Sequence, residues 1–453
     1  MKIIKKLHFF SYFLAAIIRK YYRTVIIGLF LGSLFFIFFP KIAKIMPQFR
    51  RKEKIGLVGQ YTINNLPEEI LNQISLGLTS ISETGEAIPQ LAESWEITDE
   101  GKTYFFRLKD LPRVWHDNKP LKPADINYNF KDVSFSLQGG FIKFSLKEPF
   151  SPFPIILSKP LFKKGLIGLG KYRVKRIEKS GLYIKSIYLV PYEQSSLFQN
   201  ETDGNLPNKL YRFYNSEKDL KTAFNLGEIN VAPEIFDLKG LFLGKSTKVS
   251  SQIMKDAYLG VFFNTGNALF QEKTFRQTLA YAIPKETGEK RALGPLNPNS
   301  WAYNPDVKPY SQDLSRAKQL LDKNIPFLSE LKIKIATFPQ YESVANQVRE
   351  GWKAIGVNSE IQLMTFIPED FDVFILANKI PPDPDQYYFW HVSQTGNISN
   401  FDNPRVNKLL EDGRHTISKE ERKNIYFDFQ RFLIEESPVI FLSHPTCYSV
   451  TRD

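Results

Sequence analysis

The stretch 380–390 carries side chains that are suited to holding a small molecule. It follows an apolar run, 373–376, that predicts a strand, and ligands of open α/β sheets sit beyond the carboxyl ends of strands. Aspartates accept hydrogen bonds from amines or amides, and aromatic rings offer broad faces with a polar edge. The alternative interpretation is a turn stiffened by three prolines, with its aromatic residues in the core. We predict ligand contact from Asp383, Asp385, Tyr387 and Trp390.

Three further candidate ligand-binding residues lie where other predicted strands end. Tyr61 lies at the end of the predicted strand Ile55–Thr62, and Asn65 comes just after it. Both could face a cleft from one lobe. Loop polarity alone is the alternative explanation for both. Asn264 ends the apolar run Leu259–Asn264, where it either shapes a turn or contacts the ligand.

Catalytic patterns find little support in the chain. The five histidines show no metal-ligand spacing, and none is paired with a nucleophile motif such as G-x-S-x-G. Trp115–Asp117 invites a catalytic interpretation through its central histidine, but a structural corner explains it better. We therefore predict no catalytic residue, no metal and no cofactor.

Two lobes are expected to position these candidate residues, because 453 residues is long for a single core. The run 259–264 is apolar on both faces, as in a central strand, and 274–283 repeats apolar residues at helical spacing. Strands and helices alternate after residue 313, which argues for an α/β lobe. We predict a basic membrane-anchor region at 1–54, lobe I at 55–264 with a small β-rich subdomain at about 130–190, lobe II at 265–445, and a short C-terminal return at 446–453.

Almost all of the net charge lies at the N-terminus. Residues 1–54 hold twelve Lys or Arg and one acidic residue, so only +1 of the formal charge of +12 belongs to the rest of the chain. A nearly neutral body does not favour a nucleic-acid surface. The basic N-terminus indicates contact with anionic lipid headgroups instead. The single cysteine, Cys447, excludes an intrachain disulfide.

The uncharged run Thr24–Phe39 predicts a transmembrane helix at about 24–40. A cleaved signal peptide is the alternative, but no small-x-small cleavage site follows the run at Pro40. Basic residues flank it evenly, so the positive-inside rule does not settle its orientation. We predict a single-pass anchor that contacts membrane lipid through residues 24–40.

An ordered series of motifs spans about residues 55–445 and resembles the solute-binding proteins of the oligopeptide/dipeptide type, which serve ABC importers. Each motif is weak alone, whereas the set in this order is specific. The motifs are Pro89–Ile97 with Gly101–Leu108, Trp115–Phe130, Phe263–Asn264 with Phe275–Ile283, Asp313–Leu321, Pro382–Asp385 and Asn403–Leu410.

The resemblance implies a two-lobed, periplasmic-binding-protein-like (class II) α/β fold with mixed sheets, whose central cleft closes over an extended peptide or similar solute. It also implies delivery to an ABC permease and ATPase complex, with no chemistry on the ligand. The family's lipid-anchored cysteine is absent here. The resemblance places Ile380 where peptide-binding members carry a carboxylate for the ligand amine.

We therefore predict an extracytoplasmic, membrane-tethered substrate-binding component of an ABC-type importer that captures peptides or a similar small solute. A transport-independent surface sensor or scaffold on the same fold is the main alternative. A surface hydrolase is disfavoured by the missing nucleophile–base pair. A DNA-binding regulator would need a helix-turn-helix, and the N-terminus carries an apolar run instead.

Overall fold

The computed structural model describes residues 20–23, 27–28, 30, 32–33, 52–110, 113–192, 206–324 and 332–452. The chain divides into two units, Met1–Arg51 with Asn205–Pro207 and Lys52–Gly204 with Asn208–Asp453. The described residues between 20 and 33 are helical. Most of the predicted transmembrane helix at 24–40 lies outside the described residues. In the part of the chain that the structure describes, no helix combines the length and the apolar character needed to cross a membrane.

The second unit is a mixed α/β structure. Its strands are β1 (Lys52–Val58), β2 (Thr79–Ile81), β3 (Ala87–Pro89), β4 (Ala92–Thr98), β5 (Thr103–Leu108), β6 (Val133–Gln138), β7 (Phe141–Leu146), β8 (Tyr172–Ser180), β9 (Tyr183–Pro191), β10 (Asn208–Tyr214), β11 (Val231–Ile235), β12 (Thr247–Ile253), β13 (Ala257–Phe263), β14 (Lys332–Thr337), β15 (Asn358–Leu363), β16 (Val373–Lys379), β17 (Val439–Ser443) and β18 (Thr446–Arg452). Its helices are α1 (Glu68–Ile74), α2 (Phe153–Ile156), α3 (Glu217–Asn225), α4 (Lys273–Ala282), α5 (Leu314–Asn324), α6 (Glu342–Lys353), α7 (Tyr387–Trp390), α8 (Pro404–His415) and α9 (Lys419–Glu436).

The first lobe, residues 52–253 with 446–452, is built on a seven-stranded sheet in the order β12-β18-β11-β1-β10-β9-β8. Strand β1 lies between β10 and β11 and runs parallel to both. The last strand, β18, returns from the second lobe and pairs antiparallel with β11 and β12. The beginning and the end of the unit are therefore held in one sheet.

A separate four-stranded sheet, β4-β5-β7-β6, forms a subdomain of the first lobe over its own core. Large aromatic side chains such as Phe106, Trp115 and Phe144 fill that core. The predicted β-rich subdomain at about 130–190 is thereby divided. Of the four strands between residues 130 and 190, only β6 and β7 belong to the four-stranded sheet. Strand β9 pairs with β10, and β8 pairs with β9, so both belong to the seven-stranded sheet.

The second lobe, residues 257–443, surrounds a five-stranded sheet in the order β15-β14-β16-β13-β17. Every residue of β13 is buried, as its apolar character on both faces predicts. Helix α4 buries Phe275 and Leu279 in the same core. Because β13 pairs with β16 from Ala257 to Phe263, the chain enters this lobe before residue 257 and not near Asn264.

Two described segments, 254–256 and 444–445, connect the two large sheets, and they lie side by side. The amide of Met254 donates a hydrogen bond to the carbonyl oxygen of Pro445 over 2.8 Å. The imidazole Nδ1 of His444 lies 2.7 Å from the carbonyl oxygen of Ala257. A pair of short, adjacent connections is the arrangement that allows two lobes to turn about a hinge.

Candidate functional site

A cavity of about 210 Å³ lies between the subdomain of the first lobe and the second lobe. Its first wall comes from the β2–β4 region and α2, and its second wall from the second lobe, including the start of α9. The first wall is lined by Gly85, Glu86, Ala87, Trp95, Ser151, Pro154 and Ile155. The second wall is lined by Trp301, Asp383, Ile417, Lys419 and Arg422.

Direct contacts between the lobes border the cavity. Lys419 donates a hydrogen bond to the carboxylate of Glu86, and this bond holds the pKa of Glu86 below its usual value. The amide of Trp301 donates to the carbonyl oxygen of Thr84 over 3.2 Å. Gly85 has a φ of +84°, and a Cβ there would collide with the carbonyl oxygen of Pro382. The backbones of the two lobes therefore approach closely at a residue that has no side chain.

A buried ion pair forms part of the second wall. Arg422 binds Asp383 through two parallel hydrogen bonds of 3.0 Å and 2.5 Å, and its Nε donates to the carbonyl oxygen of Gly413 over 2.7 Å. Burial disfavours the charge of Arg422, but the facing carboxylate outweighs burial and raises its pKa. The hydroxyl of Ser418 accepts from the amide of Glu421 and caps α9, which carries Arg422. Asp383 therefore lines the cavity with its charge compensated by Arg422.

The rest of the predicted 380–390 stretch is also engaged within the second lobe. Arg414 donates to Asp385 over 2.8 Å and 3.1 Å, and its guanidinium lies 4.0 Å from the ring centroid of Tyr387. Trp390 is buried and stacks on Phe262 at 6.2 Å. The three predicted residues Asp385, Tyr387 and Trp390 do not line the cavity. Ile380, where the resemblance leads one to look for a carboxylate, is an apolar core residue.

The remaining predicted residues lie elsewhere. Asn264 is buried, with its amide nitrogen donating to Phe371 over 2.9 Å and its oxygen accepting from Gly266 and Asn400. Asn65 accepts a hydrogen bond from the hydroxyl of Thr62 over 2.9 Å within its own turn. Both of these asparagines therefore organise local turns. Ligand contact by any of the seven predicted residues stays a prediction.

Tyr61 belongs to a second group of polar residues beside the lobe connections. Burial raises the pKa of Tyr61, and so does the nearby charge of Glu234 on β11. The pKa of Glu234 is itself raised by burial; Lys379 at the end of β16 lowers it, and Asp256 raises it further. Glu234 comes from the first lobe, Lys379 from the second lobe, and Asp256 from a connecting segment. These four residues, Tyr61, Glu234, Asp256 and Lys379, do not line the cavity, and we call them the hinge group; the group brings an acidic and a basic side chain together from opposite lobes.

Sequence reasoning missed most of the residues that line the cavity. Trp95 and Trp301 are half-buried aromatic residues, and the ring of Trp301 lies 5.6 Å from the ammonium of Lys419 and 5.7 Å from the guanidinium of Arg422. The capping signal at Ser418 could have located Lys419 at a helix start, but nothing in the sequence joins it to Glu86. In the described part of the chain, no cluster of three His, Cys, Asp or Glu side chains could hold a metal.

Comparison with known proteins supplies the family. Residues 86–400 match the model for bacterial extracellular solute-binding proteins, family 5. The dipeptide-binding protein of Escherichia coli K12 is 22% identical over 453 residues, covering 82% of this chain and 83% of that protein. The family model and the name of this relative both describe proteins that bind a solute, in agreement with the prediction that this chain is not an enzyme.

Solved structures with low sequence identity share the fold. CtaP of Listeria monocytogenes, an ABC transporter substrate-binding protein, is 20% identical and superposes with a TM-score of 0.73 over 88% of this chain and 94% of its own. NikZ of Campylobacter jejuni, in complex with Ni(L-His), is 22% identical with a TM-score of 0.71 over 89% and 94%. The predicted mixed α/β, two-lobed solute-binding fold is confirmed. The chain belongs to the bacterial extracellular solute-binding proteins, family 5.

Proposed function

We propose that this chain captures a peptide or a similar small solute between its two lobes and delivers it to the permease of an ABC importer. The observation that carries the proposal is the cavity of about 210 Å³ whose walls come from both lobes. The name of the E. coli relative supports a peptide, and the ligand of NikZ supports a small amino-acid complex as the wider class.

Hinge closure is the proposed mechanism. The paired segments at 254–256 and 444–445 allow the lobes to turn, and the Lys419–Glu86 contact forms when they meet. A ligand that contacts both walls binds the closed state more tightly than the open state, and it shifts the population by that difference in affinity. The protein then presents a closed, loaded form to the permease.

The chemistry of the two polar regions suits a zwitterionic solute. Trp95 and Trp301 provide aromatic surface, and the charges of the cavity walls are already paired within the protein. The hinge group places Glu234 and Lys379 on opposite lobes, where they would attract an amine and a carboxylate. Because Ile380 supplies no carboxylate, we assign recognition of the amine to Glu234.

We further propose that residues 24–40 tether the protein to the membrane, with the second unit on the extracytoplasmic side. The uncharged run Thr24–Phe39 and its basic flanks support this arrangement. The chain would then act beside its permease without the lipid-bearing cysteine that the family resemblance implies. Fractionation of membranes that contain the full chain tests the tether: extraction by detergent but not by high salt is expected, and release by salt would contradict it.

Mass spectrometry of solutes that co-purify with the detergent-extracted full chain tests the proposed function. We expect a peptide or an amino-acid complex at close to one molecule per chain, and we expect its removal to lower the unfolding temperature. Restoring it from a tryptic digest of casein should raise that temperature in a saturable manner. Absence of a bound solute, together with no thermal shift from peptides, sugars or metal–histidine complexes, would contradict the proposal.

A further inference from the structure

The lower end of the seven-stranded sheet, where β1 begins, exposes large apolar side chains. Helix α3 follows β10 and precedes β11, and both strands run parallel to β1, so α3 ends at the level where β1 starts. Leu226, directly after α3, is 71% exposed. Phe242, in the loop between β11 and β12, is 73% exposed, and its neighbour Leu243 is 48% exposed. Side chains of this size are normally covered when they cluster.

Hydrogen bonds hold the loop that carries Phe242 against α3. Glu217 at the start of α3 accepts from the amides of Phe236 and Asp237. Asn225 at its end donates to the carbonyl oxygen of Gly240 and accepts from the amide of Phe242, both over 2.8 Å. The loop therefore follows the helix from end to end and presents Phe242 beside Leu226 in a fixed position.

Positive charge surrounds these apolar side chains. The segment 239–248 contains three lysines and no acidic residue, and all three lysines are exposed. Glu53 and Glu228 are acidic residues at this end of the sheet, and Glu228 binds Arg212 over 3.2 Å. The pKa of Lys52, at the start of β1, is lowered by burial and then by the neighbouring cations Lys54 and Arg212. We call this surface the basal tip; it comprises Leu226, Lys239, Phe242, Leu243, Lys245 and Lys248.

We propose that the basal tip rests in the headgroup region of an anionic lipid bilayer. The N-terminal 51 residues are joined to the body at Lys52, which lies at this same end of the sheet. This end of the sheet is therefore the one that follows the proposed tether in the chain. Apolar side chains ringed by lysines match the boundary between acyl chains and anionic headgroups. This inference rests on the membrane tether proposed above.

Fluorescence from a dye at single positions tests this inference in the full chain reconstituted into vesicles. The buried Cys447 is replaced by serine, and an environment-sensitive dye is attached at Leu243→Cys or at the control position Leu182→Cys. Leu182 is 82% exposed in the β8–β9 turn, at the opposite end of the same sheet. We expect a blue shift and a severalfold intensity gain at position 243 with phosphatidylglycerol vesicles, a weaker change with phosphatidylcholine, and none at position 182.

Flotation of the same samples separates failure of the inference from failure of the tether. A chain that floats with the vesicles while the dye at position 243 stays in water overturns the inference and leaves the tether standing. A chain that does not float and shows no shift overturns both. A shift that appears only in native membrane vesicles, and not in protein-free ones, assigns the basal tip to a protein partner and also overturns the inference. Replacing the three lysines with glutamate should abolish the preference for anionic lipid.

Discussion

The ion pairs Arg422–Asp383 and Lys419–Glu86 border the same cavity, but they differ in burial and in the lobes that they join. The side chains of the first pair are 7% and 10% exposed, and both lie in the second lobe. Those of the second pair are 54% and 37% exposed, and they link the two lobes. A buried pair costs much to break because it leaves an isolated charge, whereas an exposed pair contributes little. The first pair therefore maintains the fold, and the second can form and separate as the lobes move.

Breaking the buried pair should have the largest effect. We expect Asp383→Asn to lower the free energy of unfolding by about 3–5 kcal/mol, because Arg422 would remain buried without its counter-charge. Urea denaturation followed by tryptophan fluorescence measures this loss. The matched control is Asp428→Asn, which breaks the exposed pair with Arg431 on α9 and should cost at most about 0.5 kcal/mol. Equal losses for both variants would remove the distinction between buried and exposed pairs.

Blocking the approach of the lobes should weaken ligand binding without unfolding either lobe. We expect Gly85→Ala to reduce affinity at least about tenfold, or about 1.4 kcal/mol, because its Cβ would meet the carbonyl oxygen of Pro382. Calorimetric titration with the co-purified solute measures the change. Gly139→Ala is the control, since that glycine also has a positive φ but open space around it. If Gly85→Ala bound the solute with unchanged affinity, contact between the lobes at this point would not matter for closure.

Glu234, in the hinge group, extends the comparison to a carboxyl that does not line the cavity. Its pKa is raised in the folded protein, so the folded state holds the proton more tightly than the unfolded chain does. That contribution to stability is present below the unfolded pKa and is lost as the pH rises through the folded pKa. We expect Glu234→Gln to match or exceed the wild type in unfolding temperature at neutral pH, and to bind the solute less tightly. An unfolding temperature below that of the wild type would show that the charged carboxylate stabilises the fold.

Removing the charge of Glu86 should have the smallest effect. The bond from Lys419 lowers the pKa of Glu86 when the lobes meet, so its contribution to closure is present above the pKa of Glu86 in the open form and is lost as the pH falls through its lower pKa in the closed form. We expect Glu86→Gln to weaken solute binding by less than about 1 kcal/mol at neutral pH, since water reaches both side chains of the pair. We also expect the affinity of the wild type for the solute to fall as the pH becomes acidic, and the affinity of the variant to lack this fall. A decline of equal size in both proteins would exclude Glu86 as its source.

Local sequence patterns predicted the elements but not their assembly. The apolar run at 259–264 and the helical spacing of apolar residues at 274–283 indicated a buried strand and a helix, since both signals depend on neighbouring residues. The cavity depends on distant contacts, such as that between Glu86 and Lys419, which are 333 positions apart. The two aspartates of 380–390 have the polarity expected of a ligand site. Only the folded chain shows that their carboxylates bind arginines from α8 and α9.

Closure of the two lobes on a solute is the central claim, and a distance between the lobes tests it most directly. Spin labels at Ile88→Cys in the first lobe and Val392→Cys in the second occupy exposed positions, and Cys447 is replaced by serine. Pulsed electron paramagnetic resonance then measures the distance between the labels in two samples. One is the full chain stripped of solute, and the other is the chain given the tryptic digest of casein or the co-purified solute. We predict a broad distribution of label-to-label distances in the chain stripped of solute. When the solute binds, the mean distance should become shorter and the distribution narrower. A distribution that stays the same while the solute is bound would contradict the account.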